Sequence, residues 1–280
     1  MEKKKKVWLI TGCSSGLGRA LAEEVLASGD IAALTARDTA TLTDLVASCP
    51  DRAIALKLDV TDSTAIQAAV DEAVARLGRI DVLVNNAGFG TVGALEEIDD
   101  LYADQAMDAN FFGVYRMCRA VLPAMRRQAS GSIINVSSML GFSGAAGYAF
   151  YSAAKFAVEG LSEALAAEVA PFGIKVTIIQ PGPFRTDFRK RSMRVAPVHP
   201  AYSKSLSAFR EGLLAGDGKQ PGDPRKAARL MIDIANAEEP PLRLPVGKAA
   251  LAAVERKLDL VRHDIDRWRD ASLATAFADA

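Results

Sequence analysis

From Val7 to Ile179 short β-branched or apolar runs alternate with helical stretches, and that alternation leaves this 280-residue chain few folds. The strand-like runs are Val7 to Ile10, Ile31 to Ala36, Ala53 to Leu58, Asp81 to Val84, Ser132 to Val136 and Ile174 to Ile179. Between them, Gly16 to Ala27 reads as a helix with Ala20, Leu21, Val25 and Leu26 facing inward. Another helix is expected near Thr41 to Ser48, and one capped by Ser63 runs towards Leu77. A long helix is expected over Leu101 to Gln128, and another from about Ala149 to Ala170, ended by Pro171 and Gly173. Strands this poor in polar residues must be buried on both faces, which demands a parallel sheet covered by helices. Right-handed crossovers then give a single doubly wound α/β (Rossmann) domain over residues 1–280, with about seven strands and ligands at their carboxyl ends. Pro224 to Ala237 supplies a further helix, and Leu242 to Leu244 a short seventh strand.

Two segments depart from the alternation. Residues 183–224 are rich in Arg, Lys, Ser, Gly and Pro, with a weak helical signal around Ser205 to Leu214. The segment is expected to be a lid over a ligand cleft, or else a simple surface excursion. From Leu251 onward, Val254, Leu258, Val261, Ile265 and Trp268 recur at three- and four-residue spacing. That marks an amphipathic helix over about 248–275, buried against its own domain or against another subunit.

Bulk composition excludes several function classes. Hydrophobic residues make up 50% of the chain, charged residues 24%, and the formal net charge is +0. No global field draws nucleic acid or an anionic membrane. The Lys3 to Lys6 run reads as a solvated, frayed terminus. Cys13, Cys49 and Cys118 show no paired spacing, which fits a reducing cytoplasm. His199 and His263 are the only histidines and sit in no ligand-like cluster, so no metal is expected. The apolar Val7 to Ile10 run is too short for a signal peptide or a membrane span.

Gly12, Gly16 and Gly18 bracket a tight turn from the first strand into the first helix. Backbone without side chains can approach a pyrophosphate there, and the helix start offers free N–H groups. The spacing is G-x-x-x-G-x-G, not the common G-x-G-x-x-G. Asp59 and Val60 close the third strand, where a carboxylate can meet an adenine amino group or simply cap a turn. Asn86, Ala87 and Gly88 end the fourth, with small residues suited to a ribose or nicotinamide. At the end of the second strand stand Ala36 and Arg37, where an NAD site wants an acid. A guanidinium there forks onto phosphate, with Ser14 and Ser15 adding hydroxyls, so NADP(H) is the expected cofactor. Asp38 would restore an acid if the register moved by one.

Lys155 follows Tyr151 by one helical turn, so an ammonium can lower the phenol's pKa and fit it for proton transfer. Tyr148 has Ser152 at the same offset and gains no such help. Ser138 leaves the fifth strand, where its hydroxyl can steady a carbonyl oxygen, and Ser137 competes for that role. Asn110 lies inside the expected long helix, an awkward place for an amide, where it can anchor a water serving Lys155.

Taken together, Thr11 to Gly18, Asn85 to Gly88, Asn110, Ser138, Tyr151-x-x-x-Lys155 and Pro181-Gly182-x-x-x-Thr186 resemble the short-chain dehydrogenase/reductase family. The resemblance covers roughly Lys5 to Thr186. It implies a catalytic tetrad of Ser138, Tyr151, Lys155 and Asn110, and favours Ser138 over Ser137. It places Gly12, Ser14, Ser15, Gly16, Leu17, Gly18, Arg37, Asp59, Val60, Asn86, Ala87 and Gly88 around the cofactor. Tyr151 and Lys155 would also touch it, and Pro181, Gly182, Phe184 and Thr186 would hold its nicotinamide half. Thr35-Ala36-Arg37 resembles the NADP-dependent carbonyl reductases and hydroxysteroid dehydrogenases, and family members are usually dimers or tetramers.

The expected activity is hydride transfer between NADP(H) and a carbonyl or secondary alcohol. Phe142, Phe184, Phe188 and Met193 suggest an apolar substrate. Two alternatives stand beside it. A non-catalytic NADP-sensing module would not need Ser138, Tyr151 and Lys155 together. A 3-ketoacyl reductase for an acidic acyl carrier would want the basic rim of Arg185, Arg189, Lys190, Arg191 and Arg194.

Overall fold

In the computed structural model, which describes residues 5–277, a seven-stranded parallel sheet carries helices on both faces. Strands β1 (Val7–Ile10), β2 (Ile31–Ala36) and β3 (Ala53–Lys57) run outward to one edge. β4 (Val82–Asn85), β6 (Gly131–Val136), β7 (Ile174–Pro181) and β9 (Arg243–Val246) run to the other. The order is β3-β2-β1-β4-β6-β7-β9, which reverses between β1 and β4. A crevice at the carboxyl ends of these two strands follows from that reversal.

Alternation within each strand divides the core. Trp8, Ile10, Leu34, Val82, Val84 and Ile134 face one layer with Leu21, Val25 and Met231. These last belong to α1 (Gly16–Ala27) and α9 (Pro224–Asn236). Leu9, Ala33, Leu83 and Ile133 face the other layer with Ile66, Met117 and Val158. The residues named there come from α3 (Ser63–Leu77), α5 (Gly113–Gln128) and α6 (Ala149–Val169). Burial of both faces is why the strands are mostly apolar, and Asn85 and Asn135, buried within them, are hydrogen-bonded to each other.

Most expected boundaries hold to within a residue or two, with four corrections. The helix near residue 41 begins as a tighter turn, Thr39–Leu42, before α2 (Thr43–Ser48). Asp62, not Ser63, caps α3, accepting from the N–H groups of Thr64 (2.8 Å) and Ala65 (3.1 Å). A carboxylate one residue earlier reaches those amides better than a hydroxyl inside the first turn. The expected long helix is broken into α4 (Asp100–Met107), a π-helical turn over Asp108–Phe112, and α5. Finally, Lys6 is not frayed. Its backbone N–H donates to Asp30 Oδ1 at 3.1 Å and its ammonium to the Ala235 carbonyl. Lys3 and Lys4 lie outside the described residues.

After β4 the chain makes a short strand β5 (Gly90–Val92). The 183–224 excursion contains α7 (Phe188–Arg191), β8 (Met193–Val195) and α8 (Ser207–Ala215). β8 pairs with β5 in a small parallel ladder that sequence reading did not anticipate, and α8's Arg210 pairs with the buried Glu97 carboxylate. The excursion is thereby tied to the loop after β4. The last helix, α10 (Lys248–Leu273), buries only Ala250 and Ala253, and every described residue from Leu258 onward is exposed. Packing of its apolar stripe against its own domain is therefore ruled out. Among the described residues no helix is long and apolar enough to cross a membrane.

Candidate active site

At the reversal point the glycine turn and the end of β4 are locked together. Thr11 Oγ1 accepts from the N–H groups of Asn86 (2.9 Å) and Ala87 (3.0 Å) and donates to the Val84 carbonyl (3.2 Å). Asn86 returns the contact, its Nδ2 donating to the carbonyls of Thr11 (3.0 Å) and Gly12 (3.2 Å). Gly18 tolerates no side chain, because a Cβ there would lie 2.3 Å from the Gly12 carbonyl oxygen and 2.4 Å from Asn86 Nδ2. Gly16, at φ +62°, faces Thr186, whose Cβ would be 3.8 Å from an added Cβ. The turn from residues 11–18 and the chain after β7 thus flank one space. Sequence reading gave Thr11 only as part of a motif; its clasp of the two strand ends shows only once β1 and β4 are known to be neighbours.

Ser15 begins α1 with extended backbone and makes no side-chain cap hydrogen bond, so its hydroxyl does not satisfy the first-turn N–H groups. Leu17 is partly buried against the core, which seats the turn. At the end of β2, Ala36 is buried and Arg37 and Asp38 are exposed. Asp38 spends its carboxylate on the Ala40 N–H at 3.0 Å. Asp59 Oδ1 accepts from the Thr61 N–H (3.0 Å) and hydroxyl (2.8 Å), and the Val60 side chain packs where a Cβ on Gly113 would fall. A side-chain-free cradle, the polarised start of a helix and an exposed cation at one sheet edge together fit a dinucleotide.

Beyond β6, Ser138 accepts from the Leu140 N–H at 3.1 Å and is a hydrogen-bond partner of Tyr151. Ser137 turns away beneath the helix, its hydroxyl 2.3 Å from where a Gly141 Cβ would stand. The structure therefore separates the two serines. Tyr151 and Lys155 project from the first turns of α6, the ammonium 5.8 Å from the phenol ring centroid. Lys155 is 5% exposed and donates to the Val136 carbonyl at 2.8 Å. Tyr148 lies edge-on to Phe209 of α8 at 4.9 Å and tilted to Tyr151 at 6.3 Å, so the excursion walls the phenol on one side.

The electrostatics differ from the sequence expectation. Burial pushes the Tyr151 phenol up to about 12, Ser138 pulling it back and Tyr148 adding to the rise. Burial also brings Lys155 down to about 8, opposed by Glu159. In the protein alone, desolvation outweighs any help the ammonium gives the phenol. Glu159, one turn beyond Lys155, is itself buried and held by Gln180 Nε2 (3.0 Å) and Arg243 Nε (2.9 Å). Its i+4 spacing from Lys155 was readable in the sequence and was missed.

Asn110 is fully buried in the π turn, its amide spent on Phe89: Oδ1 accepts from the backbone N–H and Nδ2 donates to the carbonyl, both at 2.8 Å. A Cβ on Gly88 would lie 2.5 Å from Asn110 Oδ1 and 3.9 Å from Lys155 Nζ, so both polar groups converge on that glycine. Nearby, Gly182 donates to the Val246 carbonyl at 3.0 Å, Pro181 is buried, and Phe184 packs on the core. Phe188 and Met193 lie against Gly90. Among the described residues no cluster of metal-type ligands is found.

A sequence model of the family described as short chain dehydrogenase matches residues 6–195. "Oxidoreductase BOA17" of Botryotinia fuckeliana is 42% identical, with 97% of this chain and 99% of that protein covered. A 3-ketodihydrosphingosine reductase of Bacteroides thetaiotaomicron is 39% identical, with 86% and 88% covered. Among solved structures, a short-chain dehydrogenase from Streptomyces avermitilis superposes with a TM-score of 0.93 at 46% identity, covering 98% of this chain and all of that one. Two others at 26% identity differ in cofactor. ElxO holds NADP (TM-score 0.69, 84% and 93% covered), and a Burkholderia phymatum protein holds NAD (0.81, 96% of each).

Proposed function

This chain belongs to the short-chain dehydrogenase/reductase family, and from that premise we propose that it is an NADP(H)-dependent enzyme interconverting a ketone or aldehyde with its alcohol. The observation that carries the reading is that Lys155 and Asn110 meet at Gly88, after the end of β4, with the Tyr151 ring 5.8 Å from the Lys155 ammonium and Ser138 interacting with Tyr151. The glycine turn with Asn86, Gly182 and Thr186 would hold a nicotinamide cofactor, which would supply or accept the hydride. The chain's own part is proton transfer and charge stabilisation. Tyr151 gives its phenolic proton to the carbonyl oxygen as that oxygen gains charge, and Ser138 donates a hydrogen bond to the same atom. Lys155, held by Val136, supplies the positive charge that offsets the phenolate left behind. Asn110 keeps the Gly88–Phe89 backbone in place beneath the reacting groups.

Selection of NADP(H) rests on Arg37, exposed at the end of β2 while Asp38 is occupied as a cap. An apolar substrate is supported by Phe188 and Met193 against β5, and by the relative whose name gives a 3-keto substrate. The acyl-carrier alternative is disfavoured because its basic rim is already engaged. Arg185 donates to the Gln220 carbonyl (3.1 Å) and Arg189 to that of Leu213 (2.7 Å). Lys190 pairs with Asp217 (3.5 Å) and Arg191 with Asp187 (3.8 Å), and Arg194 stacks 4.7 Å from the Phe89 ring. The three free cysteines support a reducing, cytoplasmic setting. Tyr151→Phe should lower turnover of a ketone panel, followed by NADPH absorbance, by roughly 10²–10⁴-fold while leaving NADPH binding nearly intact. Activity close to wild type in that variant would refute the assignment.

A further inference from the structure

We propose that α10 is a self-recognition element that pairs antiparallel with α10 of a second copy of this chain about a two-fold axis between Asp259 and Leu260. The helix has 26 residues and so extends about 39 Å, yet only its first two turns touch the domain. Beyond them its apolar residues stand in solvent: Leu258 is 53% exposed, Ile265 47% and Trp268 61%. A helix projecting this far without packing is marginal alone, and packing of an apolar face normally supplies what propensity does not.

The steps between Leu251, Val254, Leu258, Val261, Ile265 and Trp268 alternate strictly between three and four. Leu251, Leu258 and Ile265 then occupy one core position of a heptad and Val254, Val261 and Trp268 the other, the seam of a two-stranded coil. This seam is symmetric about its own middle. Turned end for end, it meets Leu258 with Val261 of the partner subunit, Val254 with the partner's Ile265, and Leu251 with the partner's Trp268. Every layer is apolar, and the pairing is reciprocal, as an isologous contact requires.

Charge decides the partner and the direction. The flanking positions carry Glu255, Lys257, Arg262 and Asp264. In the antiparallel register Lys257 faces the partner's Asp264 and Glu255 faces the partner's Arg262, and symmetry doubles both pairs. The outermost flanking pair sets Lys248 against the partner's Arg269, and Asp266 already neutralises Arg269 within the helix at 2.6 Å. A parallel pair would instead set Lys257 against the partner's Arg262, which repels, leaving only Asp264 against the partner's Arg269 to attract. A membrane surface would select a polar face rich in one sign, whereas this face interleaves both. The arrangement also brings the end of the partner's helix level with Val246 and Gly247, beside Gly182.

The test is sedimentation velocity of the full chain at micromolar concentration, with anionic phosphatidylserine vesicles as a parallel arm. Wild type should sediment at twice the chain mass or a multiple of it, and Ile265→Glu at half the wild-type mass. Leu258→Glu should repeat that result, and since both positions are exposed in the single chain, each variant should remain folded and unfold in one cooperative thermal transition. Lys257→Glu should weaken association about tenfold or more, and Lys257→Glu with Asp264→Lys should restore it. A monomeric wild type would overturn the proposal, as would a mass unchanged by Ile265→Glu or a double exchange no tighter than the single one. Vesicle binding by a monomer would equally overturn it.

Discussion

Burial works against the charge of Lys155, and its titration reads that cost directly. Its ammonium loses a proton near 8 in the folded protein and near 10.5 when unfolded. Between those values the unfolded chain holds more protons, so folding grows more favourable as pH rises. Measured against Lys155→Met by urea unfolding, wild type should gain roughly 2 kcal/mol of relative stability from pH 8 to pH 10. The buried thiols of Cys13 and Cys118, both pushed up to about 12, titrate in both proteins and cancel in the difference. A flat difference would show that Lys155 is not desolvated. At this scale the sequence was informative about which residues meet, since helical spacing alone puts Lys155 beside Tyr151. It was misleading about the phenol's acidity, because Tyr151 is buried with Tyr148 beside it, and Tyr148 is packed by Phe209 of α8, far away along the chain.

Among elements, the π turn at Asp108–Phe112 is the informative departure. One extra residue in the turn rotates Asn110 into the core, where its amide takes both hydrogen-bonding groups of Phe89. Asn110→Ala would leave that N–H and carbonyl unpaired. A loss of about 1–3 kcal/mol in urea unfolding is expected, with a fall in turnover as the Gly88 backbone loosens. Unchanged stability would mean that the two bonds do not form in solution. Nothing in residues 101–128 announces the break, since a π turn has no composition of its own; the only sign was an asparagine where a helix disfavours one. The main strands were legible because burial on both faces leaves a near-continuous apolar run. The β5–β8 ladder was not, since three-residue strands lie below what periodicity can resolve.

For the molecule as a whole, ligand binding should report the cofactor preference without any assay of turnover. A ligand at a hundred times its dissociation constant adds about 2.7 kcal/mol, which for a domain of this size raises Tm by roughly 5–10 °C. NADPH should produce that shift and NADH, at equal concentration, a smaller one, and Arg37→Ala should bring the two together. Equal shifts in wild type would remove Arg37 from the argument. The doubly wound architecture was readable from the order of strands and helices, because right-handed crossovers leave few ways to arrange them. The exposure of α10 was not, since an apolar stripe looks the same whether its cover is the chain itself or another copy.

All seven strands of the main sheet run the same way. The polypeptide therefore enters at the rim opposite the catalytic crevice, where Lys6 and Trp8 are moored to Asp30. A bead or electrode coupled ahead of Val7 would hold the molecule with its crevice turned to the bulk liquid. Attachment through the other terminus would instead crowd the bare stripe of the last helix.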